Sequence, residues 1–292
     1  MSVTYTVGLP DFQIVLSMKR NATLLIFTIL LSQHLFAQSF ISEKGINAIN
    51  DFQAFRMELT EFQDNKLEAV KKLEDYQNNH SLEDLSEQEQ LIMESFYIAE
   101  LYNYIWEDKA NDSMLQKAFL QQIEKNEKYI SDHKNEVSDW MYMVTADSFS
   151  CYMSYNPVQG AMKYGIKLKK YYEKALEINP ENSVCRTHYA QWFYWAPGVS
   201  GGSKKKSLAN FKQAMETAET AADKFYAYIF YSQIAFEQVS KEVAAEYLNK
   251  AKEIYPKSTY ITELEYWNGR GYSLFGKDKK KAEEERNVSG NY

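Results

Sequence analysis

After residue 38 the chain follows a single period. Apolar residues recur every three to four positions along almost every segment, and no stretch alternates apolar with polar as a half-buried strand must. Residues 86–108 place Leu91, Ile98, Tyr102 and Ile105 on one stripe, and residues 112–132 do the same with Leu115, Phe119, Ile123 and Ile130. In 158–177 the stripe is Ala161, Gly165, Leu168, Tyr172 and Ala175, its small members open to a neighbouring backbone. In 240–254 it is Val243, Ala244, Tyr247, Leu248, Ala251 and Ile254. Such a chain buries its stripes by laying helix on helix. With 11 glycines and 5 prolines in 292 residues, turns are few and helices long.

The breakers fall between the stripes. Asn156-Pro157 ends one helix, because the residue before a proline avoids the α region. Pro180 and Pro256 follow helix ends, where proline cannot continue the ladder. Ser81, Asp112, Ser240 and Ser258 are N-cap or near-cap candidates. The expectation is an all-α fold of about six antiparallel helix hairpins with short loops.

The front end has a different character. Lys19 and Arg20 precede an apolar run, 22–36, that closes on Leu35-Phe36-Ala37 just before Gln38. A charged start, a short apolar core and a small-residue exit make a secretory signal peptide. The run is too short, and too interrupted by Ser32, Gln33 and His34, to span a membrane. Residues 1–37 are therefore expected to be an upstream extension plus signal, leaving 38–292 as a single helical-repeat domain in a bacterial periplasm or outside the cell, with no stable membrane span after cleavage. The formal charge of −7 argues against a nucleic-acid binder, which would show a basic stripe.

Two segments repeat. "YYEKALEINP" (171–180) and "YLNKAKEIYP" (247–256) share an aromatic or leucine, an alanine three residues on and a proline five beyond that. On Tyr172, Ala175 and Pro180, on Phe211 and Ala214, and on Ala244, Leu248, Ala251 and Pro256, the chain resembles the tetratricopeptide repeat family, most clearly over 160–260. That resemblance implies a right-handed α-solenoid whose first helices line a concave binding surface. Residues 192–214 also resemble, more narrowly, the periplasmic T-component proteins associated with TRAP transporters, which implies a small ligand or a partner subunit.

The stretch "QWFYWAPGVSGGSKKKSLANFKQA" (191–214) lacks the G-x-x-x-x-G-K-[ST] spacing of a phosphate loop and follows a helix instead of a strand. Gly198, Gly201 and Gly202 suit a chain reversal, and Ser203 suits a cap. Lys204, Lys205 and Lys206 fall in the first helical turn, where the helix dipole disfavours cations. They call for an anion or an acidic neighbour, so Gly201, Gly202, Ser203, Lys204 and Lys205 form a possible anion site.

Other chemistry is sparse. His80, His133 and His188 have no partner at metal-ligand spacing, and Cys151 and Cys185 make no C-x-x-C pair, so no metal, cofactor or catalytic set is expected. His188 sits one turn after Cys185. The two cysteines fall late and early in successive parallel helices, an offset of roughly 15 Å that a disulfide cannot bridge. Aromatics concentrate in first-helix positions. Trp192, Tyr194, Trp195, Tyr226, Tyr228, Tyr231, Trp267 and Arg270 are the candidate groove residues, with core packing expected for about half of them. The functional expectation is an exported, non-catalytic binding protein for a protein or peptide. The alternative is a periplasmic accessory to transport that binds a small apolar or acidic ligand.

Overall fold

Most helices begin where a short polar side chain caps them. In the computed structural model, which describes residues 40–277, Ser42, Asn65, Ser86, Ser138, Asn182, Ser203, Thr220, Ser240 and Ser258 all accept a bond from a backbone N–H inside the first turn. Each such cap stabilises its helix by about 0.5–2 kcal/mol over alanine. The helices are α1 (Glu43–Leu59), α2 (Lys66–Asn79), α3 (Glu87–Ile105), α4 (Asp112–His133), α5 (Asp139–Tyr155), α6 (Pro157–Ile178), α7 (Ser183–Trp195), α8 (Lys204–Thr217), α9 (Ala221–Gln238), α10 (Lys241–Ile254) and α11 (Thr259–Gly269). A further helical turn starts at residue 274. No strand occurs among the described residues, so the fold is all-α. The expected upstream extension and signal, 1–37, lie outside the described residues.

Three consecutive pairs, α5/α6, α7/α8 and α9/α10, pack along their lengths as hairpins. Each second helix also leans on the first helix of the next pair. The second helices bury an apolar or small residue, a large one four later and an alanine three after that: Leu168, Tyr172 and Ala175 in α6; Ser207, Phe211 and Ala214 in α8; Ala244, Leu248 and Ala251 in α10. All nine are no more than 4 % exposed. The alanine lets two helix axes approach closely, and the large residue fills the groove beside it.

Helix α1 does not form a close hairpin with α2. It packs on α3 and on α9, and the 3₁₀ turn that follows it, Thr60–Phe62, packs on α11. The Thr259 hydroxyl lies 3.2 Å from the carbonyls of Thr60 and Glu61, and the same oxygen accepts from Gln63 N–H at 3.1 Å. Tyr255 OH reaches Glu61 at 3.0 Å. The turn after α1 is thus tied to the junction between α10 and α11.

Three expectations need correction. Helix α3 has no single stripe: Leu91, Ile92, Met93, Ser95, Phe96, Tyr97, Glu100 and Tyr104 are buried, while Ile98, Tyr102 and Ile105 are half-buried. A helix contacted from several sides loses the one-sided pattern. In α6 the buried small residue is Gly160, where a Cβ would meet Met153 Cγ at 2.9 Å; Ala161 is exposed and Gly165 has nothing near it. Ser81 only bonds Glu83 N–H in a local turn, and the cap of α3 is Ser86.

Candidate functional site

The aromatic set expected on one surface is dispersed by the helices that carry it. Tyr194 is buried, its ring stacked 4.2 Å from Phe275 and its hydroxyl on Glu237. Tyr231 is buried and Tyr228 half-buried, and both meet Tyr247 of α10. Trp192 is half-buried against Tyr189, and Trp195 is 46 % exposed. Trp267 is half-buried at the end of α11, and Arg270 lies exposed over Tyr266. Tyr226 alone joins α1: the Arg56 guanidinium sits 5.2 Å from its ring centroid.

That contact opens onto a polar cluster hidden from sequence reading. Arg56 Nε donates to Glu100 at 2.7 Å and Nη1 to Gln53 at 2.9 Å. Burial works against the Arg56 charge, but Glu100 beside it prevails and holds the guanidinium above its usual range. Burial likewise pushes up the hydroxyls of Tyr104 and Tyr226. On α5, Asp147 accepts from Tyr172 OH at 2.5 Å and pairs with His188 Nδ1 at 2.8 Å. A carboxylate on Nδ1 fixes the imidazole's orientation and leaves Nε2 as its working nitrogen. The pairing comes from α5 and α7 lying side by side, with Asn182 Nδ2 on Asp139 at 2.8 Å setting their register. Only the fold brings positions 147 and 188 together; the i, i+3 neighbour Cys185 gave no hint of it.

Both cysteines are free thiols. Burial, reinforced by Asp147, pushes both above the ordinary thiol range, so neither is a ready nucleophile. No group of three or more metal-ligating side chains occurs among the described residues.

The glycine turn closes on itself. Gly201 adopts φ +96°, and a Cβ on Gly202 would sit 1.7 Å from Ala196 O, so both positions require glycine. The N–H groups of Ser200, Gly201, Gly202 and Ser203 donate to Pro197 O, Gly198 O, Pro197 O and Phe193 O. These four backbone donors are engaged inside the loop. Lys204 finds an acidic neighbour, Glu237, at 2.8 Å and lies 4.8 Å from the Tyr194 ring centroid. Lys206 lies over Phe193.

A cleft does open elsewhere. Helices α2 and α4 both rest on α3 without packing closely on each other, and the space between them measures about 840 Å³. Its floor is Leu73, Tyr97, Ile98, Leu101 and Ala118; its rim is Glu74, Gln77, Glu94, Gln121, Glu124, Lys125 and Lys128. Burial pushes the Tyr97 hydroxyl up to about 12, and that oxygen has no hydrogen-bond partner among the described residues. Gln122, also in the lining, is fixed from behind: its Nε2 donates to Leu91 O at 3.2 Å and to Asn126 Oδ1 at 3.0 Å, and Asn126 donates to Ser95 Oγ at 3.0 Å. Of this lining only Ile98 fell on a stripe read from the sequence, and which face stays open depends on how far α2 stands from α4.

Compared with protein-family models, with curated proteins and with solved structures, the chain matches none.

Proposed function

We propose that this is an exported, non-catalytic helical-repeat binding protein of tetratricopeptide type, built as a solenoid, and that its binding surface is the cleft between α2 and α4. The observation that carries the reading is the cleft itself. Its volume of about 840 Å³ falls in the ~300–1,000 Å³ range of ligand sites, and it joins an apolar floor to a charged rim. The repeated Leu/Ala-type packing of α6, α8 and α10, with each second helix leaning on the next first helix, supports the solenoid reading. The aromatic set favoured by the sequence pattern has less to offer, because its members are spread over α7, α9 and the end of α11, and Tyr226 is taken up by Arg56 of α1.

The fit is to a peptide or a small, largely apolar molecule with polar ends. A transport accessory holding an acid group at the lysine turn has weaker support, since the loop N–H groups and Lys204 are already engaged. Catalysis has a base and its orienter in His188 and Asp147, but two thiols held protonated beside them. The test is native mass spectrometry of the protein isolated gently from its host, wild type against Ile98→Glu. A retained mass in the wild type that is absent from the variant is expected. A retained mass unaffected by Ile98→Glu, or none in either protein, would overturn the cleft as the site.

A further inference from the structure

Helix α6 carries a face that no other part of the described structure covers. Val158, Met162 and Ile166 follow one another at four-residue spacing and are 74 %, 84 % and 75 % exposed. At about 100° per residue they form one ridge along the outer side of the helix. The opposite face, Gly160, Tyr164 and Leu168, is buried. The first half of α6 is therefore apolar on two sides, and only one of them is used by the fold.

Exposed lysines run along one flank of the ridge, at 163, 167 and 170. The carboxylates nearby are already paired, Glu127 with Lys167 and Glu173 with Lys169. The ridge stands proud of its surface, so it suits a soft or grooved occupant. A second copy of the chain fits poorly. It would bring lysine flank against lysine flank, and three side chains fall well short of the ~800 Å² per partner that stable protein interfaces bury. Shallow insertion into a lipid surface asks for much less: a few proud apolar side chains, with long cations beside them that reach back to anionic headgroups.

We propose that the Val158, Met162 and Ile166 ridge of α6 docks the protein peripherally on an anionic lipid surface, with Lys163 and Lys170 on the headgroups. The attachment lies in the interface, consistent with the absence of any helix long and apolar enough to cross a membrane among the described residues.

A local probe tests this in the full chain, where the apolar run 22–36 would confuse simple vesicle pelleting. Met162→Cys is labelled with an environment-sensitive dye; Cys185 is buried and Cys151 is held protonated, so the introduced thiol is the reactive one. Asp84→Cys, at a position 80 % exposed, carries the same dye as control. Phosphatidylglycerol vesicles should shift the emission at 162 to the blue and leave 84 unchanged. Adding Ile166→Glu should weaken the response by an order of magnitude or so, and phosphatidylcholine alone should give little. No shift at 162, equal shifts at 162 and 84, or indifference to Ile166→Glu would overturn the proposal. A shift produced by added unlabelled protein without vesicles would overturn it in favour of self-association.

Discussion

The hairpins α9/α10 and α3/α4 are built on different principles. In α9/α10 the seam is apolar: Phe225 and Ile229 of one helix against Leu248 and Ala251 of the other, all buried. In α3/α4 part of the seam is a chain of buried polar groups running from Leu91 O through Gln122, Asn126 and Ser95, none more than 2 % exposed on its side-chain members. An apolar seam holds by area and tolerates small slides. A buried amide network holds by geometry, because each unmade bond leaves a desolvated group behind. The first kind suits a repeat stacked on its neighbours. The second suits a pair that must keep its shape with one side open, and the cleft lies on that side.

The contrast can be broken by substitution. Leu248→Ala removes a buried side chain from the apolar seam and should cost about 2–5 kcal/mol in urea unfolding, the largest effect of the set. Asn126→Ala should cost about 1–3 kcal/mol by stranding Gln122 and Ser95. The double variant Gln122→Leu/Asn126→Leu should recover much of that loss while altering the cleft, as shown by comparing its unfolding midpoint and its ligand retention with the single variant. A double variant less stable than Asn126→Ala would mean that the network does more than satisfy itself.

A pH series separates the seams further. Burial pushes the Glu89 carboxyl up, but its bonds from Ser42 and Ser86 prevail and hold it below the usual range. A depressed carboxylate contributes stability that is present above its unfolded value and lost as pH falls through the folded one. The N-terminal helices should therefore weaken in acid, and Glu89→Gln should flatten that slope by hydrogen exchange at α1 and α3 while leaving α9/α10 unchanged. The smallest effect belongs to Lys204→Ala. Its pair with Glu237 is half exposed, so the loss should stay within about 1 kcal/mol, and added inorganic phosphate should not raise the melting temperature of either form.

Local chemistry decided what could be read from the sequence. Leu115, Phe119, Ile123 and Ile130, and Ala244, Leu248 and Ala251, are buried as their spacing requires, and Pro180 and Pro256 follow the ends of α6 and α10. Asn156-Pro157 divides α5 from α6, with the proline opening the second helix. Where several helices crowd one, as at α3, periodicity blurs and the stripe is misjudged. The Ala161/Gly165 stripe erred by one position, about 100° of rotation, which exchanged the buried glycine and left the α6 ridge unforeseen. Arg56 with Glu100, and Asp147 with His188, are pairings across 44 and 41 residues. No spacing rule reaches that far, because helix packing alone brings them into contact.

The bonds between Thr259 and the segment around Thr60 bear on how the molecule comes apart. An open repeat array is a one-dimensional chain of neighbours that can fray from either end. Here α1 is shared between α3 and α9, and the turn after it is tied to α11, so neither end of the described array is free to peel first. Unfolding should then proceed in one cooperative step, with the first and last helices losing exchange protection together.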